Sequence, residues 1–391
     1  MSENEDYYDY IIAGAGCSGL SMLWHLLHSS LKNRRILVVD SRLSDPEDKI
    51  WSYWGRDEHP FQHLNIQNWD WLKVSAPGES FIKQLHDYPY HSIRSRDYHE
   101  FIFEEVRKAA NVTLLEAEVI EFRNKDKDGL VYTSRGLYKA QYIFQSIRMP
   151  KLSHDKVHFS IRQHFVGWEI ETGFPVFDPT TVTLMDFRPI HNNAVCFYYI
   201  LPFDHTRALV EYTIFSNHLI EYEEYITAIQ NFIRDDLHLT RDEYHVIREE
   251  KGNIPMEDRF YSWRTGEHIF NLGVVGGLAK PTTGYTFKRI QTYIPQFVGA
   301  LEQDKLKKFA NINQSSLEFV LYDRLFLYLL QHQPETAIRV LRDLFKNNPF
   351  DRVLAFLCEE TNWKENLQIM RSVPTRPFLE SLWKTKRILL K

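Results

Sequence analysis

Three glycines and an acid carry the first chemistry legible in this chain. Gly14, Gly16 and Gly19 stand in the run Gly14-Ala15-Gly16-Cys17-Ser18-Gly19, and Asp40 follows at the end of the next apolar stretch. The first glycine permits a tight turn, the second lets the backbone approach a pyrophosphate, and the third lets a helix pack closely on a strand. Amides at the head of that helix, around Cys17 and Ser18, then face the phosphates. Asp40 is placed to accept a hydrogen bond from a ribose hydroxyl. This constellation binds a dinucleotide.

A second glycine corner comes late in the chain, where Gly276 and Gly277 precede Pro281, Thr282, Thr283, Gly284 and Tyr285. It reads as a strand, a turn and a new helix. In many flavoproteins such a late unit approaches the flavin, and its helix amides stabilise negative charge at the pyrimidine end of a reduced ring. The two glycine regions together favour FAD over NAD. Hydroxylase flavoproteins usually carry Gly-Asp at the later turn, so Gly276-Gly277 counts against a standard monooxygenase. Among the acids, Glu211 shares a strand face with Leu209 and Thr213, and spacing alone reads it as a charge on a solvated face. Asp204 sits in a Pro-Phe-Asp-His turn of the kind that exposes an Asp. The 17 histidines show no ligand spacing such as His-Glu-x-x-His, so no metal is expected.

The elements that must position these groups follow from periodicity. Residues 9–14 and 35–40 read as buried parallel strands joined by a helix through Leu20, Leu23, Trp24 and Leu27, a β-α-β unit. A helix over 97–110 and strands near 112–120, 130–134 and 140–146 follow. Strands at 164–172, 181–187, 195–201 and 207–214 predict a separate antiparallel sheet. Helices are expected at 217–235 and 286–311. Everything after Ser316 has helical spacing, with breaks at Pro349, Pro374 and Pro377. The expected fold is α/β. A Rossmann-like FAD-binding domain opens the chain (1–150), a mainly antiparallel substrate domain follows (151–265), the chain returns to the first domain (266–311), and a helical region closes it (312–391).

Composition sets limits on function. The chain has 391 residues, 43% of them apolar and 14% aromatic, enough to wall a large nonpolar ligand. A net charge of −5 without a basic stripe argues against nucleic acid. Three scattered cysteines fit a reducing cytoplasm. The acidic start lacks the pattern of a signal peptide, and no apolar run is long enough to span a bilayer.

Read in order, the motifs resemble the bacterial-type lycopene β-cyclases over nearly the whole chain. They comprise the N-terminal fingerprint, Ile50-Trp-Ser-Tyr-Trp54, His164-Phe-Val-Gly-Trp-Glu169, Leu184-Met-Asp-Phe-Arg188 and Phe197 to Phe203. Arg207 to Thr213, Gly252 to Met256, Lys280 to Tyr285 and Pro377 to Trp383 complete the set. Three departures stand out. Ile50 and Trp54 replace the usual Thr and His, Gln145-Ser-Ile-Arg148 replaces an Asp-x-Arg-Gly, and Phe287-Lys-Arg289 brings charge after the late corner. The resemblance implies cyclisation of the linear ends of lycopene, through γ-carotene to β-carotene, with reduced FAD and no net redox. It places Glu211 on the family's essential glutamate, which makes it the leading catalytic acid with the flavin as the alternative proton donor, and leaves Asp186 and Glu169 equally open to a structural or a positioning role. It also implies NAD(P)H as reductant, linear carotenoids as substrates, and peripheral membrane contact from the cytoplasm; the apolar and basic C-terminus reads equally as a surface-lying or a packed helix. No obligate protein partner is evident. The alternatives are a flavin-dependent monooxygenase or reductase acting on an isoprenoid lipid, and a non-catalytic carotenoid-binding flavoprotein.

Overall fold

The computed structural model describes residues 6–56, 58–147, 157–188, 193–306, 309 and 315–389. Arg148 of the departing Gln145-Ser-Ile-Arg148 motif lies outside them. The apolar runs Tyr10–Ala13 and Ile36–Val39 form β1 (Asp6–Ala13) and β2 (Ile36–Asp40), paired in parallel and bridged by α1 (Cys17–Leu27). Both runs are buried on both faces, as a covered parallel sheet requires. Five short strands follow: β3 (Ile50–Trp54), β4 (Asn65–Trp69), β5 (Trp71–Ala76), β6 (Glu79–Gln84) and β7 (Tyr90–Arg94). Next come α2 (Ser95–Lys108), β8 (Val112–Glu116), β9 (Val119–Lys125), β10 (Asp128–Thr133) and β11 (Gly136–Gln145).

The first sheet has the order β8-β2-β1-β11-β10-β9. Its centre is parallel, and β9, β10 and β11 add an antiparallel edge. The second sheet takes β12 (Ser160–Thr172), β13 (Thr181–Phe187), β14 (Val195–Pro202), β15 (Arg207–Ser216) and, after α3 (Tyr222–Asp235), β16 (Tyr244–Glu257). Its order is β16-β12-β15-β14-β13-β5-β6, antiparallel except where β13 runs parallel to β5. Thus β5 and β6, early in the chain, complete a sheet otherwise built a hundred residues later. Strands β3, β7 and β4 form a small sheet of their own.

The chain then returns to the first sheet. β17 (Ile269–Asn271) pairs in parallel with β11, a 3₁₀ turn spans Gly273–Gly276, and α4 (Phe287–Glu302) packs beside α1. The helical tail is α5 (Leu317–His332), α6 (Pro334–Asn347), α7 (Phe350–Leu357), α8 (Trp363–Ser372) and α9 (Thr375–Leu389). Pro349 precedes α7 and Pro374 precedes α9, as stop signals should. Pro377 instead sits inside the first turn of α9, where its missing amide costs no helical hydrogen bond.

Helices cover the second sheet on both faces. On one, Val166, Trp168, Val210 and Tyr212 meet Tyr225, Ile229 and Phe232 of α3. On the other, Phe187, Phe197, Leu201 and Leu209 join a core with Leu327, Leu341 and Val353 of the tail. A β15 side chain therefore meets protein whichever way it points. At the end of the tail, Ser381 packs against Leu325 of α5 while Leu379 and Trp383 are exposed. Among the described residues no helix is long and apolar enough to cross a membrane.

Candidate active site

At the nucleotide end, each fingerprint glycine meets a different spatial demand. Gly14 has φ +103°, which L side chains rarely adopt, and a Cβ there would strike Ser146 Oγ at 2.4 Å. A Cβ on Gly19 would lie 1.8 Å from the Gly14 carbonyl oxygen, so the helix packs on the turn only because that position is bare. Gly16 faces open space, with nothing within 4 Å of a built Cβ. That space belongs to a cavity of about 550 Å³ whose wall includes Gly16, Cys17, Ser18 and Asp40. No side chain caps α1, which leaves its first amides available to a ligand. Asp40 accepts from Ala15 N at 2.8 Å and Arg42 N at 2.9 Å. A carboxylate has about four lone-pair sites, so capacity remains for a ribose hydroxyl.

The same cavity runs on to Glu211. Strand register explains the arrangement: Tyr199 on β14 lies opposite Glu211 on β15, Glu211 opposite Gly167 on β12, and Gly167 opposite Glu250 on β16. Directly opposed residues share a sheet face, so the four form one row. Glu211 is 5% exposed. The solvated-face reading of this residue is therefore corrected, because the cavity face of β15 lies beneath the tail helices. The Glu211 carboxyl accepts the Thr213 hydroxyl at 2.5 Å. Burial, and then the nearby Glu250, push it up to about 8, so it carries its proton at neutral pH. Glu250, also buried, accepts from Arg248 Nη1 at 2.6 Å and from Ile50 N at 3.1 Å.

Phenols fill the space beside the acid. Tyr90 bonds both Tyr199 and Tyr285 at 2.7 Å, and Tyr199 donates to Ser52 at 2.7 Å. Burial pushes all three phenols well above their ordinary value, so they stay neutral. Trp51, Phe165, Phe197, Phe215 and Phe287 complete an aromatic wall. Phe165 lies across Gly252, whose Cβ would fall 2.3 Å from the ring. These two mid-strand glycines, 167 and 252, make room for the Leu209 and Glu211 side chains and for the Phe165 ring respectively.

The late corner joins the two ends. Thr283, Gly284, Tyr285 and the head of α4 line the cavity, whereas Gly276, Gly277, Pro281 and Thr282 are not in its wall. Gly277, at φ +81°, ends the 3₁₀ turn, and Thr282 Oγ1 donates to Asp323 Oδ1 at 2.8 Å. Buried Lys280 bonds Asp323 and Glu359 at 2.7 Å each, tying the corner to the tail. The charges of Lys288 and Arg289 are met by Glu360 and Glu359. Two buried polar atoms on the cavity wall, Thr283 Oγ1 and Gln163 Oε1, have no protein partner. Open space at Gly16, uncapped amides, an orphaned hydroxyl and an orphaned amide oxygen fit a dinucleotide laid from α1 toward Tyr285.

The other acids lie elsewhere. Glu169 is buried among Arg94, Arg248 and Arg207. Asp186 pairs with Arg188, and Asp204 caps its exposed turn through Thr206 N and Arg207 N. Sequence reasoning missed Glu250, Tyr199 and Gln163 as wall residues. The available signal was a glycine inside an otherwise strong strand, which marks a close approach.

Solved structures share this architecture. A mutant of the halogenase PltM in complex with FAD is 12% identical with a TM-score of 0.62, covering 96% of this chain and 85% of that one. The p-nitrophenol 4-monooxygenase PnpA from Pseudomonas putida DLL-E4 is 12% identical with a TM-score of 0.61, covering 96% and 98%. A geranylgeranyl bacteriochlorophyll reductase-like protein from Thermoplasma acidophilum is 13% identical with a TM-score of 0.60, covering 98% and 100%. At these identities the likeness shows the fold alone, an α/β flavoprotein fold. No curated protein matches the chain in sequence. Residues 9–383, however, match the family described as lycopene cyclase protein. With that match over nearly its full length, the chain belongs to the lycopene cyclase family.

Proposed function

We propose that this protein closes the linear ends of lycopene into β-ionone rings, through γ-carotene to β-carotene, by proton chemistry beside a reduced FAD. The observation that carries the reading is a buried glutamic acid in an aromatic wall of the cavity that the glycine fingerprint opens. Gly14 to Gly19 and the α1 amides would hold the pyrophosphate, Asp40 the ribose, and Thr283 to Tyr285 the ring. FAD when bound and reduced supplies negative charge that stabilises a passing cation.

The remaining chemistry belongs to the chain. Glu211 holds its proton because its surroundings solvate an anion poorly, which suits it to protonate an alkene carbon. Protonation at C2 of the end group leaves a tertiary cation at C1, and the C5=C6 double bond closes on it. Loss of the proton at C6 completes the isomerisation. Aromatic faces stabilise the cation, and burial excludes the water that would trap it. NAD(P)H would serve to reduce the flavin and would not be consumed stoichiometrically. The exposed Leu379 and Trp383 beside the basic C-terminus suit contact with one leaflet, from which so apolar a substrate must come.

Expression in lycopene-accumulating bacteria, with pigment analysis, tests the reading. The expected result is β-carotene, formed also by the purified reduced protein under anaerobic conditions. Unchanged lycopene with folded, flavin-bound protein overturns it. Oxygen and NAD(P)H consumed in step with product would indicate a monooxygenase instead.

A further inference from the structure

The two buried glutamates of the sheet row differ in their partners. Glu211 and Glu250 sit on either side of Gly167. Two interstrand steps of about 4.8 Å set their backbones about 10 Å apart, with both side chains on one face. Gly167 keeps the gap open, since a Cβ there would come within 3.3 Å of Glu211 Cβ and 3.1 Å of Leu209 Cδ1. Glu250 receives a guanidinium and a backbone amide. Arg248 is itself braced, donating through Nε to Glu169 at 2.9 Å, and Arg94 holds Glu169 at 2.6 Å. Glu211 has a hydroxyl for its partner. Charged and amide donors favour an anion, whereas a lone hydroxyl in an apolar wall does not.

We propose that Glu250 is a positioning residue, an anion held by Arg248 and Ile50 across Gly167, whose charge keeps the proton on Glu211 until an alkene takes it. This rests on the reading of Glu211 as the acid. The groups facing Glu211 are Thr213 on its own strand, Tyr199 from β14, Glu250 from β16 and Tyr285 from the late corner. The phenols are neutral, so among these groups Glu250 is the one that adds a charge to the effect of burial on the acid. Burial, and in smaller part Asp48, push Glu250 up, and the Arg248 guanidinium and the Ile50 amide oppose that rise; Asp48 lies 3.6 Å from Arg94. When the proton leaves Glu211 to form the new C–H bond, two carboxylates face each other across Gly167. Their repulsion favours the return step, in which the C6–H bond breaks and its proton passes back to Glu211. One carboxyl then serves both transfers, and no proton is gained or lost over the cycle.

The test reads protonation directly on the flavin-loaded protein. Difference infrared spectroscopy follows a protonated-carboxyl band, assigned to Glu211 by its absence in Glu211→Gln. In the unaltered protein the band should titrate near pH 8. Glu250→Gln should move the midpoint down by about one pH unit, as expected for loss of one nearby charge. Glu250→Asp, which keeps the charge, should leave most of the elevation. If Glu250→Gln does not fold, Glu250→Gln with Arg248→Met removes the pair together. A smaller downward move is then expected, because the Arg248 cation, which favours the Glu211 anion, is lost with Glu250. An unmoved midpoint in a folded variant overturns the proposal, whatever its pigment yield. Failure of the cyclase reading looks different: no ring forms, and the infrared titration is unaffected.

Discussion

The two ends of the cavity are built by opposite means. The nucleotide end is made of backbone: bare Cα positions at Gly14, Gly16 and Gly19, and amides at the head of α1. The acid end is made of side chains brought together by sheet register, with Tyr199, Glu211, Gly167 and Glu250 taken from four strands. At the first end an added methyl is the threat, because the requirement is space. At the second an altered charge is the threat, because the requirement is a proton retained in a low-dielectric wall. A cofactor whose phosphates are always ionised needs donors that never titrate. An acid that must give up its proton once per turnover needs surroundings that make its anion costly.

If the ends are separable in this way, Glu211→Gln shows the largest effect. Carotenoid conversion should fall about 10²–10⁴-fold, the usual worth of a positioned acid, while bound flavin measured by absorbance is unchanged. Flavin loss in this variant would break the comparison. Next is the join between the ends. Lys280→Met leaves the buried Asp323 without its cation, while Glu359 keeps Arg289; the loss should cost about 3–5 kcal/mol. Chemical denaturation should show that loss, with flavin and activity falling together because the corner serves both ends.

A smaller effect separates glycines within the fingerprint. Gly19→Ala drives a Cβ into the Gly14 carbonyl, and overpacking of that kind should cost about 3 kcal/mol and release flavin. Gly16→Ala meets no protein atom. As flavin-free protein it should keep its melting temperature, and it should lose flavin affinity alone, as followed by flavin fluorescence on dilution. Equal thermal losses in the two variants would mean that Gly16 is a folding position and that the open space beside it is incidental.

The same contrast decides what the sequence could disclose. The fingerprint and Asp40 are legible because every constraint on them is local: a turn, a helix head and a strand end within one β-α-β unit. The strands of the second sheet are legible as elements, since Val, Ile, Tyr and Phe mark β12 to β15. Their partners are not. Nothing near β5 announces that it joins β13, and nothing near Glu250 announces a glutamate two strands away. Glu211 was named through family resemblance, against a local pattern that read as solvated. That pattern failed because alternation assumes one wet face, while β15 is buried along almost its whole length by α3 on one side and the tail on the other. Gly167 and Gly252 were visible as interruptions in strong strands, but which side chains lean into the space is a matter of register.

The last consequence is thermodynamic and smaller. Glu211 holds its proton more tightly in the folded chain than in the unfolded one, where a glutamate titrates near its ordinary 4.5. The folded value is raised, so the stability tied to that proton is complete below about pH 4.5. It is lost progressively as pH rises to about 8. The full shift sets a ceiling of about 5 kcal/mol, and relaxation with water entry around the new anion reduces the expectation to about 2 kcal/mol. Glu211→Gln cannot ionise. Its melting temperature should match that of the parent near pH 4, exceed it increasingly up to pH 8, and hold a constant lead beyond. The glycine turn has no titrating side chain, so Gly16→Ala should track the parent at every pH. A Glu211→Gln curve parallel to the parent's would mean that the acid end is as indifferent to pH as the nucleotide end, and the distinction between them would then rest on geometry alone.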